Sequence, residues 1–383
     1  MVDSVLLAGG GTAGHVNPLL AVADELSARH PGALLTVLGT AEGLEAELVP
    51  ERGYPLVVVP KVPLPRRPTP DWLRLPGRLR EAVDAAEHAL EETEAQVVVG
   101  FGGYVSTPAY LAARRRGTPV VIHEQNARPG LANRLGARWA SSVAVTFPGT
   151  QLAGAQVTGL PLRPEIADLI DERAVDAAGT RVRAAAELGL DPELPTVLVT
   201  GGSLGAVSVS SAVVGAAAEL LAAGVQVLHL TGKGKAQAVR DQVRELSESG
   251  LAAGLAGRYQ VREYLSRMQL ALAVADLVVA RAGAGTVSEL AALGLPAVYV
   301  PLPIGNGEQR LNARPVVEAG GGVLVPDAEL DPRWVVEQLL PLVADPSRLA
   351  EMGLAAAGVG VRDAAARVAD LVEAAVPTQE ATP

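Results

Sequence analysis

Cysteine is absent from all 383 residues, which excludes disulfides, thiolate catalysis and cysteine-held zinc, and fits a reducing compartment. Aromatic residues are scarce at 3%, so the core must be close-packed alanine, valine and leucine with little ring stacking. No apolar run approaches the roughly 20 residues that a helix needs to cross a bilayer. The opening "MVDSVLLAGG" carries an acid and no basic region, so it reads as a first strand and not as a signal peptide. Basic residues are outnumbered, 32 against 42 acids, for a net charge of −10; a nucleic-acid binder would show a basic footprint instead. No glycine run ends in Gly-Lys-Ser/Thr, so there is no P-loop, and Asp-x-Asp, a frequent metal holder beside sugar nucleotides, does not occur. A soluble cytoplasmic protein is expected.

One segment departs from the acidic trend. "KVPLPRRPTPDWLRLPGRLR" carries Lys61, Arg66, Arg67, Arg74, Arg78 and Arg80 against the single acid Asp71, with Trp72, Leu73, Leu75 and Leu79 interleaved. It reads either as a proline-rich loop entering a solvated helix, or as a patch for an anionic membrane surface. In the second case apolar burial and about 1 kcal/mol per nearby basic residue act together.

What is plentiful is alternation. In the first half "VLLAGG", "LLTVLG", "LVVVP", "QVVVGFGG", "PVVIHEQ" and "SVAVT" read as buried strands, and in the second half "TVLVTGG", "VQVLHLTG", "DLVVARAG" and "PAVYVPL". Their continuous aliphatic character suits parallel sheets covered on both faces, and helical patterns separate them. "LLAGGGTAG" and "LVTGGSLGA" open the two halves alike. The pattern predicts an α/β chain of two Rossmann-like, doubly wound domains. Residues 1–163 form the first and 164–345 the second, joined near "GLPLRPEI"; helices and a frayed tail over 346–383 close the chain.

Glycine-rich strand-to-helix turns recur at Gly9–Gly14, Gly100–Gly103, Gly201–Gly205 and Gly283–Gly285. Such turns let a ligand approach the backbone and present helix N–H groups to an anion. Four of them point to phosphorylated ligands. A dinucleotide dehydrogenase would need an acid at the end of its second strand for the ribose; here Gly39 and Thr40 stand there, and Glu42 falls beyond. That class is disfavoured.

"RAGAGTVSELAALGLP" gives the sharpest signal. Its first turn is nearly bare backbone, Thr286 can donate a hydroxyl, and Glu289 stands one turn inside on about the same face. A carboxylate accepting two hydrogen bonds suits a vicinal diol such as a ribose. The same Thr-x-x-Glu spacing also reads as a capping box, and spacing alone leaves both open.

"AGGGTAGHVNPLLAVADEL", "GFGGYVSTPAYLAA", "PVVIHEQNARPGLANR", "GLPLR", "VTGGSLGA", "REYLSRM" and "RAGAGTVSELAALGLPAVYVPLPIGNGEQRLNA" together resemble the MurG family of glycosyltransferase family 28, in order from Val5 to Ala313. The resemblance implies a GT-B fold with two domains facing a cleft. It implies transfer of GlcNAc from UDP-GlcNAc to the C4 hydroxyl of the MurNAc-pentapeptide of lipid I, giving lipid II, at the cytoplasmic face of the cell membrane as a peripheral enzyme. Cell-wall synthesis proteins would be neighbours, and no nucleic acid is involved.

Carried onto this sequence, the resemblance implies that Glu289 binds the ribose while Ala284, Gly285, Thr286, Val287 and Ser288 wrap the diphosphate and ribose. The backbone of Leu265 would read the uracil edge, with Met268 and Tyr264 lining that pocket. Ser203 and Arg163 would touch the diphosphate; Glu308, Gln309 and Asn312 would face the sugar hydroxyls. Thr12, Ala13, Gly14, His15 and Asn126 would close over the GlcNAc, and Gly102, Gly103 and Tyr104 would hold the acceptor diphosphate. Two positions depart from the family pattern. Ala13 stands where a second glycine is common, and serves only if that position needs no positive φ; Glu308 replaces a common glutamine, so it accepts hydrogen bonds from a sugar but cannot donate.

A direct displacement at the anomeric carbon inverts it, and needs a base and stabilisation of the departing diphosphate. His15 is the candidate base, because its ordinary pKa suits proton transfer near neutrality; the alternative makes it a donor to phosphate or to a loop carbonyl. Glu124 is the second candidate. His123 orients its own loop, and His30, His88 and His229 receive no role. Without Asp-x-Asp, helix N-termini and Arg163 are expected to carry the diphosphate with no obligatory metal or other cofactor. Other readings remain: a UDP-GlcNAc 2-epimerase, which has no use for the Lys61–Arg80 patch, a transferase with a different acceptor, or a non-enzymatic UDP-sugar sensor.

Overall fold

The computed structural model describes residues 2–62, 71–202, 206–248 and 255–377. They divide into two compact units: Met1–Arg163 with Val361–Pro383, and Pro164–Gly360.

The first unit is built on seven strands, β1 (Ser4–Ala8), β2 (Leu34–Gly39), β3 (Leu56–Val58), β4 (Val97–Gly100), β5 (Val120–Glu124), β6 (Ser142–Val145) and β7 (Ala155–Val157). They lie in the order β3-β2-β1-β4-β5-β6-β7 and every pair is parallel. Alternation along β1 sends Val5 and Leu7 to one face, and Leu6 and Ala8 to the other. Helices α1 (Ala13–Arg29), α2 (Glu45–Glu51), α3 (Asp71–Glu92), α4 (Ser106–Arg116) and α5 (Leu131–Gly136) connect the strands. Leu19, Val22 and Leu26 of α1 fill the first face, while Val83 and Ala86 of α3 and Ala109 and Tyr110 of α4 fill the second.

The second unit repeats the plan with β8 (Thr196–Thr200), β9 (Gln226–Leu230), β10 (Tyr259–Arg262), β11 (Leu277–Ala280), β12 (Ala297–Tyr299) and β13 (Gly322–Leu324), ordered β10-β9-β8-β11-β12-β13 and again all parallel. Its helices are α6 (Pro164–Leu188), α7 (Val207–Gly215), α8 (Ala217–Ala222), α9 (Ala236–Glu248), α10 (Met268–Val274), α11 (Ala284–Leu293) and α12 (Glu308–Glu318). Then follow α13 (Pro332–Trp334), a π-turn over Val335–Leu339, α14 (Leu340–Val343) and α15 (Pro346–Val359). In each sheet the order reverses between the first strand and the fourth, β1/β4 and β8/β11. That switch point, outside the carboxyl ends of the strands, is where this architecture opens a ligand crevice.

Three strands escape the sequence reading: β7, β10 and β13. All sit at sheet edges and run three or four residues, mostly half-buried or exposed. An edge strand has one neighbour and little core to face, so it need not be aliphatic: β3, also at an edge, keeps a readable run, whereas Gln156, Gln260, Arg262 and Gly322 interrupt these three.

Residues 346–383, grouped in the sequence reading as one closing segment, divide between the units. Helix α15 packs on α11, where Gly360 lies so close to the Ala291 backbone that a Cβ would collide. The next helix, α16 (Ala364–Ala375), returns to the first unit, and Val368, Ala369 and Val372 complete the core face begun by α1. Arg29 of α1 donates to Asp370 at 2.6 Å and His30 pairs with Glu373 at 2.9 Å. Gly159, with φ +81°, makes room for Val361 at the re-entry.

Candidate active site

At the β8/β11 switch point, β11 ends on Ala280 and the chain passes Arg281-Ala282 to Gly283, the N-cap of α11. Gly283 is extended (φ −63°, ψ 149°) and supplies no side-chain cap. The first turn therefore presents Ala284, Gly285 and Thr286 N–H groups with no partner inside the helix. The capping-box reading of Thr286 and Glu289 fails here, because Thr286 lies inside the first turn and is not the N-cap. At Gly283 and Gly285 an added Cβ would meet nothing within 4 Å, and neither has a positive φ. Neither packing nor backbone conformation asks for glycine at either position, so what they provide is open backbone at a positive dipole end. Glu289 stands half-buried one turn on, as does Ser288. Ala284 and Val287 turn their side chains into the core, so only their backbone is available to a ligand.

Arg281 holds this turn from behind. Its guanidinium pairs with Asp327 and donates to Ser208 Oγ at 3.0 Å and to the Val300 carbonyl at 3.2 Å. Ser208 Oγ in turn donates to Asp327 at 2.7 Å. The starts of α7 and α11 and the segments after β12 and β13 are thus tied by one charged cluster. Residue type gave no hint of it, since Arg281 opens the motif with no acid beside it and its partner Asp327 lies 46 residues away.

The β12–α12 loop also converges here. Asn312, fully buried, donates from Nδ2 to the Ala282 carbonyl at 3.3 Å. Gln309 Oε1 accepts from Leu302 N at 2.9 Å, and Glu308 opens α12 behind Gly307, whose φ is +78°. Leu265 lies half-buried between β10 and α10, and its N–H and C=O make no backbone hydrogen bond with the described residues. Met268 begins α10, and Tyr264 is exposed. Arg163 is the last residue of the first unit before α6. Ser203 lies outside the described residues.

In the first unit the β1/β4 switch point brings two glycine turns together. Gly11, with φ +88°, leads to Thr12, the N-cap of α1, whose Oγ1 lies 3.0 Å from His15 Nδ1. Ala13 begins the helix and has no positive φ, so the lost glycine costs the loop nothing; Gly14 follows, exposed. Across from them Gly102 and Gly103 both have positive φ. A Cβ on Gly102 would stand 3.3 Å from His15 Nε2, and one on Gly103 would strike the Gly10 carbonyl. Tyr104 projects from this turn, exposed. Burial holds the His15 pKa below its ordinary value, opposed by the Glu45 carboxylate and by a hydrogen bond with the Gly10 backbone.

Glu45 is a residue that the sequence reading passed over. It lies fully buried at the start of α2, accepting from Gly11 N at 2.7 Å, Thr40 N at 2.9 Å and Thr40 Oγ1 at 2.7 Å. Burial alone would raise its pKa, but these donors hold it below the usual carboxylate value. A dehydrogenase search looks for the acid at the strand end, and this one stands six residues past the end of β2.

The His-Glu-Gln-Asn run ends β5. Glu124 is buried, and accepts from Asn126 N at 2.9 Å, Gly130 N at 2.9 Å and Asn133 Nδ2 at 2.9 Å; burial pushes its pKa up against these donors. Both oxygens are committed to shaping the loop that carries Asn126. His123 is buried with Nε2 2.9 Å from the Gly159 carbonyl, its pKa pushed down to about 4 by burial. It is neutral at physiological pH and turned away from solvent.

Of the basic patch, Arg66 and Arg67 lie outside the described residues, and Trp72 and Arg74 belong to α3. Lys61 pairs with Glu42 at 3.2 Å. Leu79 packs against the core of the first unit and Leu75 is half-buried, while Arg78 is exposed. Leu79 is thus spent on the fold, where the sequence suggested a lipid contact. No helix among the described residues is long and apolar enough to cross a membrane, and no three His, Cys, Asp or Glu side chains among them gather to hold a metal ion.

Both sites fall within matched family regions. Residues 5–145 match the glycosyltransferase family 28 N-terminal domain, and residues 196–368 its C-terminal domain. The chain is 55% identical to a UDP-N-acetylglucosamine–N-acetylmuramyl-(pentapeptide) pyrophosphoryl-undecaprenol N-acetylglucosamine transferase of Clavibacter michiganensis subsp. michiganensis, over 99% of this chain and 98% of that one. A crystal structure of MurG from Acinetobacter baumannii matches with a TM-score of 0.75 at 29% identity, covering 97% of this chain and 99% of that one. A UDP-GlcNAc 2-epimerase from Neisseria meningitidis, solved with UDP-GlcNAc, matches with a TM-score of 0.70 over 97% and 100% of the two chains. At 15% identity that likeness speaks for the GT-B fold alone, so the fold does not separate the two reactions and the residues must. They do so at more than half of all positions: this chain is a GT-B glycosyltransferase of family 28, in its MurG branch.

Proposed function

We propose that the chain transfers N-acetylglucosamine from UDP-N-acetylglucosamine to the C4 hydroxyl of the MurNAc-pentapeptide of lipid I, with inversion, giving lipid II. The observation that carries the donor half of this reading is the start of α11, an uncapped turn of open backbone with Glu289 one turn inside. An anion is stabilised at such a helix end, and a half-buried carboxylate at that distance can take both hydroxyls of a ribose. Identity to transferases of that name along nearly the whole chain supports the choice of substrates.

In this reading the second unit holds the donor. Backbone N–H groups of Ala284, Gly285 and Thr286 receive the diphosphate, with Arg163 and Ser203 adding to them. Leu265 meets the uracil edge, and Glu308, Gln309 and Asn312 face the sugar or brace the loop that does. The charge that builds on the departing UDP is met by donors already fixed in place, which is how such groups lower a barrier, and no obligatory metal is invoked.

The first unit supplies the acceptor side and the base. His15 takes the proton from the attacking hydroxyl. Its ring is reached from the loop by Thr12 and faced by the side-chain-free Gly102 turn, which leaves room for a substrate. Glu124 is less suited, since both its oxygens already accept hydrogen bonds. The acceptor diphosphate is assigned to Gly102, Gly103 and Tyr104. Arg78 and the neighbouring basic residues would meet an anionic membrane surface, which makes the enzyme peripheral at the cytoplasmic face, beside other wall-synthesis proteins.

The decisive experiment incubates purified protein with labelled UDP-GlcNAc and a lipid I analogue. Label moving into the lipid phase supports the reading. Donor consumed without lipid points to an epimerase, and binding without any product to a sensor.

A further inference from the structure

Glu45 is a buried charge of the first unit met by three donors, and the reading above gives it no part. An ionised carboxylate is costly to bury unless hydrogen bonds replace its water, and three donors do so here. The backbone has been cleared around it as well. At Gly10, Gly39 and Gly43 an added Cβ would collide with Glu45 atoms. None of the three has a positive φ, so no turn conformation explains their being glycine. Three segments, the end of β1, the end of β2 and the approach to α2, have given up side chains to admit one carboxylate.

What the carboxylate does there follows from its contacts. Through Gly11 N it fixes the loop one residue before Thr12, whose hydroxyl meets His15. Around the imidazole stand Gly10 and Thr12 of the loop, Gly102 from the turn after β4, with Asn133 of α5 beyond it, all neutral. The Glu45 carboxylate opposes the effect of burial on the ring. Burial alone weakens a histidine base, because it penalises the imidazolium that forms when the proton arrives; a fixed anion nearby offsets that penalty. We infer that Glu45 is a positioning residue of the transfer reaction: its carboxylate anchors the first glycine loop through Gly11 and supports the proton that His15 takes up. This rests on the assignment of His15 as base.

The test uses the full chain and the lipid I assay, with Glu45→Gln, His15→Ala and the double variant. Glu45→Gln keeps the shape and removes the charge. It is expected to lower kcat on the order of 10-fold or more, within the range that proton transfer contributes, and to leave KM for UDP-GlcNAc nearly unchanged. The sign of the pH effect is fixed: a base that loses a neighbouring anion titrates lower, so the acid limb of kcat moves down by about one pH unit. In the double variant the Glu45→Gln loss disappears, since a residue acting through His15 has nothing left to support. An unchanged kcat and acid limb in Glu45→Gln overturn the inference, as does a loss that persists undiminished in the His15→Ala background. Should Glu45→Gln lack a cooperative melt, Thr40→Val, which leaves the anion but deletes one of its donors, is put through the same cycle: a smaller kcat loss that disappears in the His15→Ala background supports the inference, and no loss, or one that persists there, overturns it. If His15→Ala alone keeps the parent kcat, the base assignment itself is wrong and the role of Glu45 falls with it.

Discussion

Gly283→Ala separates what the α11 turn does for the fold from what it does for a ligand. The parent φ of −63° suits any residue, and the new methyl would meet no protein atom within 4 Å. The structural cost is therefore only that of alanine as an N-cap in place of glycine, about 0.5–1 kcal/mol. For a unit the size of Pro164–Gly360 this is roughly 2 °C in Tm. The functional cost is larger. A methyl over the bare turn holds a diphosphate away from N–H groups whose charge-assisted bonds are worth about 1.5–3 kcal/mol, or roughly a 10- to 100-fold rise in Kd. Isothermal titration with UDP-GlcNAc reads the second quantity and scanning fluorimetry the first. A Kd within twofold of the parent would refute the reasoning, because the diphosphate would then not rest on this turn. A collapse of the melt would refute it as well, since it would mean that the glycine serves packing.

Three further outcomes follow from the same geometry. Glu289→Ala should weaken UDP and UDP-GlcNAc alike, by about 10-fold or more if two hydrogen bonds to a ribose are lost, while 2′,3′-dideoxy-UDP should bind parent and variant equally. Turnover should survive EDTA; loss of activity restored by magnesium or manganese would show that a metal, and not the α11 turn with Arg163, carries the departing diphosphate. Folding stability should fall with acid below neutrality. Burial depresses His123 and His229 from 6.5 to about 4, so the unfolded chain binds more protons across that window. The stabilisation is whole above pH 6.5 and is lost as pH falls toward 4. Between pH 6.5 and 5 each contributes a loss of about 2 kcal/mol. Urea unfolding at the two pH values measures it, and His229→Gln should remove about half of the two-histidine effect.

Most of the fold could be read from aliphatic runs because parallel strands buried on both faces have no other way to look. Where that condition lapses, at β7, β10 and β13, the reading lapsed too. The α11 turn was legible because its motif is compact, but only coordinates separated a capping box from an open helix end. Glu45, Arg281 and Asp327 were not legible. Each acts on a loop more than thirty residues away in sequence or across several strand ends, and nothing local marks a charge that serves another segment. The three glycines around Glu45 carried a signal, but at the sequence level they could not be told from glycines that make turns.

The return of α16 to the first unit bears on how the protein is made. Translation delivers residues 1–163, then all of Pro164–Gly360, and only afterwards the helix whose Val368, Ala369 and Val372 help to cover β4, β5 and β6. At 5–20 residues per second the intervening stretch takes roughly 10–40 s to emerge. For that time the nascent first unit waits on the ribosome with one aliphatic face only partly covered, by α1, while the later-made unit can already be complete. The half that begins synthesis first is thus the one that matures last, and a premature stop between Val361 and Ala364 takes α16 from the first unit and leaves Pro164–Gly360 whole.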